Sequence, residues 1–248
     1  MDKLSFFLTY AENQRTALLF VHGFTATPSE LYPAARIIYE TGGINVMGVL
    51  LPGHGSNPGQ LNKTSWRDWY REVNDKIDFL KRKYQKVFVA GLSMGALLAL
   101  AAGERRRDLT GVILINIPAI FKDKKINIPL ITMLSWFKKC WPKKDEKEFY
   151  TCNGRYAYPC YPLKALKSLL KGRKKILKNA SAVTASVLIV QSGEDEMVEV
   201  AGAEYLRQKL VNADTKIMYL PNSHHIATME AEKEVLAQAV IDFIKRNR

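Results

Sequence analysis

The sequence predicts an α/β protein in which a mostly parallel sheet is covered by helices on both faces. Two observations carry this. Short apolar runs recur along the chain ("TALLFV", "KVFVAG", "GVILINI", "SVLIVQSG") without the apolar-polar alternation of a sheet that faces water on one side. Between them lie segments whose apolar residues recur at helical spacing, so strand and helix take turns.

The elements follow in order. Thr16 to Val21 reads as a strand ending in "HGF", Ser29 to Glu40 as an amphipathic helix, and Asn45 to Leu51 as a second strand stopped by "PGHG". Ser65, with Asp68 three residues on, is placed to cap the helix "WRDWYREVNDKIDFLKRKY", whose Trp69, Val73, Ile77 and Leu80 share one face. Next come the strand "KVFVAG", a helix opening after Ser93 and the strand "GVILINI". Beyond an inserted segment, the strand "SVLIVQSG", a helix near 200–210, the strand "KIMYLPNS" and a final helix from Glu230 complete the pattern. No internal repeat is visible.

At 248 residues and 47% hydrophobic content, the chain has enough apolar material for one large core or two small ones, which excludes disordered, collagenous and disulfide-scaffold classes. The stretch "MDKLSFFLTYAENQ" lacks a long apolar region and a small-residue cleavage site, so no secretory leader is expected there. No run approaches the roughly 18 apolar residues of a membrane span. The cysteines, Cys140, Cys152 and Cys160, are odd in number and confined to one segment. That argues against a disulfide framework and for a reducing, cytoplasmic setting. The four histidines lie far from these cysteines in sequence, so no zinc site and no other metal is expected.

The net charge of +13 is local. Between Ala119 and Lys178 stand 16 Lys or Arg against 4 Asp or Glu, leaving 21 basic and 20 acidic residues elsewhere. The same stretch holds 9 of the chain's 25 aromatic residues and lacks clean periodicity. It is expected to be an inserted cap over residues 119–180, with residues 1–118 and 181–248 forming the core. No nucleic-acid motif accompanies the charge, so no nucleic-acid partner is expected. One reading is a solvated basic surface. The sharper one is weak association with an anionic membrane surface through Lys138, Lys139, Lys143 and Lys144 beside Trp136 and Trp141.

Gly91-Leu92-Ser93-Met94-Gly95 is a G-x-S-x-G motif between a strand and a helix, the place of a nucleophile elbow. A serine in such a turn is exposed, its neighbours two positions away must lack bulk, and the helix N-terminus offers free N–H groups to a developing oxyanion. An ordinary turn serine is the plain alternative. Activation of a serine needs a base and a carboxylate to orient it, in the chain order Ser, acid, His. "LIVQSGEDEMV" supplies Glu194, Asp195 and Glu196 after one strand, and "IMYLPNSHHIATME" supplies His224 and His225 after the next. Both lie where catalytic groups collect, at the C-terminal ends of parallel strands. His22 and His54 read as structural hydrogen-bonders, and Trp66 and Trp69 as packing residues.

The ordered set "HGFTATPSEL", "LPGHG", "SWRDW", "GLSMG", "SGEDEMV" and "NSHHIATME" resembles the bacterial carboxylesterase and monoacylglycerol lipase group of the α/β-hydrolase superfamily. The resemblance spans nearly the whole chain apart from the insertion. It implies Ser93 as nucleophile, Asp195 as the orienting acid, His225 as base, and the backbone N–H groups of Phe24 and Met94 as the oxyanion hole. It favours Asp195 over its glutamate neighbours, and His225 because the catalytic histidine is third in the family's S-x-H triplet. No metal or organic cofactor is implied. The expected activity is hydrolysis of carboxylic esters with short to medium acyl chains, the partner being a small-molecule ester. A hydrolase-fold receptor, or a thioesterase or amide hydrolase with the same triad, is the alternative. Two positions depart from the group. Ala96 stands where many relatives have a second glycine, and Pro159 falls where some monoacylglycerol lipases carry an acid that holds glycerol.

Overall fold

A computed structural model describes residues 5–10, 15–124, 126–143 and 154–247. Strands β1 (Phe6–Leu8), β2 (Thr16–Val21), β3 (Asn45–Val49), β4 (Lys86–Leu92), β5 (Gly111–Ile115), β8 (Ser186–Ser192) and β9 (Thr215–Leu220) form a seven-stranded sheet in the order β1-β3-β2-β4-β5-β8-β9. All neighbours are parallel except β1, which runs antiparallel along β3. This edge strand was not legible in the sequence. Gly48 admits it, since a Cβ there would fall 2.3 Å from the Phe6 ring.

The non-alternating runs are buried on both faces, and each strand divides its residues between two apolar clusters. Ala17, Leu19 and Val21 of β2 point to one, and Leu18 and Phe20 to the other. Helices α1 (Tyr32–Gly42) and α8 (Lys233–Arg246) close the second cluster. Helices α3 (Trp66–Lys81), α4 (Met94–Arg105) and α6 (Leu163–Lys178) close the first. Short helices α2 (Pro58–Leu61) and α7 (Ala201–Arg207) lie in the connections. Each fully buried large apolar side chain contributes about 1.5–3 kcal/mol, so the two clusters are the main source of stability.

Local rules set the boundaries. Asp68 Oδ2 accepts the Ser65 backbone N–H at 2.9 Å, and the Ser65 hydroxyl holds the Asp68 carboxyl below its ordinary range. Trp69 is fully buried, its Nε1–H donating to Thr64 Oγ1 at 2.9 Å and to Pro52 O at 3.1 Å. The helix expected from Ser29 begins as a single 3-10 turn at Pro28–Glu30 and becomes α-helical at Tyr32.

Within residues 119–180, α5 (Ile128–Phe137) and a hairpin of β6 (Cys140–Pro142) and β7 (Cys160–Pro162) stand over the C-terminal end of the sheet. Helix α6 packs against α5 on one side and against α3 and α4 on the other, with the Gly172 backbone pressed on the Trp66 ring. Lys144 and Cys152 lie outside the described residues. Among the described residues, no helix is long and apolar enough to cross a membrane.

The cysteines correct an expectation. Cys140 and Cys160 form a disulfide across the hairpin, with Cα atoms 5.9 Å apart. In the register, Cys140 faces Pro162 and Cys160 faces Pro142, so the two cysteines are diagonal neighbours on one face. Cysteine parity hides such a local bridge, because Cys152 makes the count odd. Alkylation of the unreduced, denatured chain is expected to add one label, and alkylation after reduction three, read by intact mass. Three labels without reduction would show the pair to be open.

Candidate active site

The start of helix α4 lies so close to the ends of β4 and β2 that only glycine fits at two positions. A Cβ on Gly91 would fall 2.1 Å from the Gly95 carbonyl, and one on Gly95 would fall 2.0 Å from Val21 O. Between them Ser93 takes φ 55° and ψ −115°, a backbone conformation that costs on the order of 1–3 kcal/mol for a non-glycine residue and persists only where its surroundings impose it. They do so here through Ser93 N–H to Ile115 O at 2.9 Å and Ala96 N–H to Ser93 O at 3.0 Å. The hydroxyl of Ser93 faces a cavity of about 420 Å³.

The loop after β2 forms the facing wall. Its Phe24 lines the cavity with Met94, and neither backbone N–H donates to an acceptor among the described residues. Thr25 at φ 68° turns the chain sharply after Phe24, and the Ala26 N–H to Gly23 O bond at 3.3 Å closes the turn. His22 anchors the loop from below. Its Nε2 accepts from Leu51 N–H at 3.1 Å, so its Nδ1–H donates to Gly23 O at 2.8 Å, and burial holds the ring below its ordinary pKa and therefore neutral. His54 is likewise buried and pushed well down, first by desolvation and then by His22, with its ring edge-on to His22 and Trp69.

The loops after β8 and β9 bring an acid and a histidine together. Asp195 is fully buried. Its Oδ1 accepts from Met197 N–H at 2.8 Å and Val198 N–H at 2.9 Å, which leaves Oδ2 to accept from His225 Nδ1 at 2.7 Å. That bond turns Nε2 of His225 outward as the acceptor, and the ring shares the cavity with Ser93. Among the described residues, no hydrogen bond joins the Ser93 hydroxyl to this ring. Such contacts are often long in empty sites and tighten on substrate binding. Burial acts strongly to lower the His225 pKa. Asp195, by charge and by hydrogen bond, together with Glu196 and Glu30, more than offsets it and holds the imidazole above its ordinary value.

The neighbouring acids and histidine go elsewhere. Glu194 and His224 are half-exposed and lie 3.6 Å apart at the surface, while Glu196 Oε2 accepts the His225 backbone N–H at 3.2 Å. Asn116, at φ 46°, spans these loops. Its Nδ2 donates to Ser192 Oγ at 2.8 Å and His225 O at 2.9 Å, and its Oδ1 accepts from Ser192 N–H at 2.8 Å. Trp141, Lys143, Tyr161 and Ile131 from the hairpin and α5 complete the cavity rim.

Nothing in the sequence marks Asn116, Glu30 or Arg155, of which the last two line the cavity. Asn116 sits at a strand end with no motif around it, and Arg155 is one cation among many in the basic segment. Glu30 lies within "HGFTATPSEL", but its spacing carries no signal of its own. Among the described residues, no group of three or more His, Cys, Asp or Glu could hold a metal.

Comparison with known proteins agrees with this architecture. The family described as Hydrolase_4, serine aminopeptidase S33, matches residues 12–159. A thermostable monoacylglycerol lipase of Bacillus sp. (strain H-257) is 30% identical over 242 residues, covering 96% of this chain and 94% of that protein. A carboxylesterase of Bacillus subtilis (strain 168) is 24% identical, covering 93% and 92%. Among solved structures, one from a study of the metagenome-derived lipolytic enzymes LipS and LipT superposes with a TM-score of 0.85 at 24% identity, covering 98% of both chains. A monoacylglycerol lipase of Paleococcus ferrophilus gives 0.81 at 18% identity, covering 98% of this chain and 99% of that one. With a serine elbow on a parallel sheet, and a family match over more than half its length, the chain belongs to the serine aminopeptidase S33 (Hydrolase_4) family of α/β hydrolases.

Proposed function

We propose that the protein is a serine hydrolase of carboxylic esters with short to medium acyl chains, monoacylglycerols among them. The observation that carries this is the Asp195–His225 pair, which opens with Ser93 and two free N–H groups onto one largely apolar cavity. His225 Nε2 takes the proton of Ser93 as Oγ attacks the acyl carbonyl. The Phe24 and Met94 N–H groups hold the oxyanion, His225 returns the proton to the leaving alcohol, and water splits the acyl-enzyme by the same route. Asp195 keeps the ring in the tautomer that can accept from serine. The similarity to a carboxylesterase and a monoacylglycerol lipase supports an ester as the substrate, although the family is named for aminopeptidases. Residues of α5 and the β6–β7 hairpin act as the cap over the acyl pocket.

The decisive experiment is an ester panel varying acyl length and alcohol, with fluorophosphonate labelling alongside. Ser93 is expected to be the one residue labelled, and soluble monoesters to turn over faster than emulsified triacylglycerols. Ser93→Ala and His225→Ala should each cost several orders of magnitude in turnover, roughly as much singly as together. His224→Ala should retain most activity. Labelling that survives Ser93→Ala, or a single turnover followed by a stall, would reject the enzyme.

The pH dependence follows from His225. The base works only when neutral, and its pKa is raised, so kcat/KM is expected to fall on the acid side with a midpoint above the ordinary histidine value of about 6.5. Asp195→Asn removes the principal raising influence and leaves burial, so the acid limb should move down in pH while kcat falls on the order of 10⁴-fold. An unshifted limb would assign the titration to another group.

The cap also supports a membrane partner. Trp136 is 77% and Phe137 81% exposed, Met133 is exposed beside them, and Lys138 and Lys139 follow directly. Lys143 sits over the Tyr161 ring at the cavity rim. Each basic residue near an anionic bilayer is worth about 1 kcal/mol, so this face would hold the enzyme weakly at a surface where acylglycerols reside. Reversing the charge of Lys138, Lys139 and Lys143 should abolish salt-sensitive sedimentation with anionic liposomes and leave hydrolysis of a small soluble ester within a few-fold. Equal binding of the parent protein to neutral and anionic liposomes at low salt would leave only a solvated basic surface.

A further inference from the structure

Glu30 carries a carboxylate in an unusual place. Its side chain is fully buried, and Oε1 accepts the Gly23 N–H at 2.6 Å, one residue before the Phe24 N–H. A carbon built on Gly23 would lie 3.0 Å from Glu30 Oε1 and 3.6 Å from Ser93 Cβ. A fixed anion at this position opposes negative charge developing beside Ser93 unless a cation compensates it. His22 is held neutral by burial, and His225 is already paired with Asp195 through Nδ1.

The cation comes from the inserted segment. Arg155 Nε donates to Glu30 Oε2 at 2.9 Å, its side chain 5% exposed. The surrounding chain is laid along the same loop, with Tyr156 N–H on Ser29 Oγ at 2.9 Å and Tyr158 N–H on Thr25 O at 3.0 Å. The Tyr158 hydroxyl accepts from Ser56 N–H and donates to Gly53 O, each at 2.9 Å. The chain at 155–158 is thus bonded through Arg155, Tyr156 and Tyr158 to the loop that carries Phe24 and the turn that follows it.

We propose that Arg155 is a positioning residue for the oxyanion hole, acting through Glu30. Glu30 holds the Gly23 N–H and so aims the Phe24 N–H at the cavity. Arg155 neutralises Glu30, so that the carboxylate orients the loop without opposing the oxyanion, and it couples the seating of the cap to the geometry of the hole. This rests on the serine-hydrolase reading above.

The test is a double-mutant cycle of Arg155→Met, Glu30→Gln and the pair, read as kcat and KM on a soluble ester and as the rate of Ser93 phosphonylation by a small p-nitrophenyl phosphonate. Glutamine keeps the acceptor for Gly23 N–H without the charge. R155M is expected to lower kcat and the phosphonylation rate on the order of 10²-fold, about the loss seen on removing one oxyanion donor, with KM within a few-fold. The double variant should recover at least ten-fold of that loss. Should R155M fail to fold, Arg155→Lys, which keeps the charge, replaces it and should stay within about ten-fold of the parent in kcat. Losses that add in the double variant, or an effect confined to KM, would overturn the proposal and leave Arg155 as packing or a substrate contact. A parent protein whose Ser93 is not phosphonylated at all would instead overturn the nucleophile reading, and the proposal with it.

Discussion

The close crossing of the start of α4 over the ends of β4 and β2, at Gly91 and Gly95, is the constraint on which the rest of the site depends. The backbones approach until a single methyl on either glycine would overlap main-chain atoms, and this forces Ser93 into a left-handed turn. Strain of that kind survives because buried hydrogen bonds from β5 and the first turn of α4 over-determine it. The same crossing sets where the helix N-terminus points, and so where the Met94 N–H lies relative to the hydroxyl. A serine on a relaxed turn would have neither the exposure nor the donor beside it.

Around that turn the electrostatics are arranged by opposition. Burial disfavours charge on every histidine near the cavity, and it prevails at His22 and His54, which stay neutral and structural. At His225 three carboxylates outweigh it, with Asp195 in direct contact. The imidazole is thereby ready to accept a proton in surroundings that would otherwise refuse it. Glu30 belongs to the same balance. It adds to the field on His225, accepts the Gly23 N–H and is paired with Arg155.

The inserted segment therefore does two kinds of work. Its outer face, α5 and the start of the hairpin, exposes aromatic and basic side chains together, while α6 closes the core over α3 and α4. Between them the chain at 155–158 is bonded to the loop that carries Phe24 and to the "PGHG" turn. These bonds tie residues 155–158 directly to the loop beneath them.

Periodicity alone determined most of the architecture. Apolar runs long enough to be buried on both faces, separated by amphipathic stretches, admit few arrangements other than a covered parallel sheet, and β2 is bounded as the run "TALLFV" predicts. The elbow was legible because two glycines flanking a serine between strand and helix leave a local mark. Contacts made by loops from distant parts of the chain leave no such mark. Three adjacent acids and two adjacent histidines look alike as letters, and only the turns after β8 and β9 bury Asp195 against His225 while sending Glu194 and His224 to the surface. The same holds for the bridge between Cys140 and Cys160, and for Glu30 and Arg155, 125 residues apart. The direction of a side chain at the end of a strand is set by how the whole sheet twists and packs, and that is decided only in three dimensions.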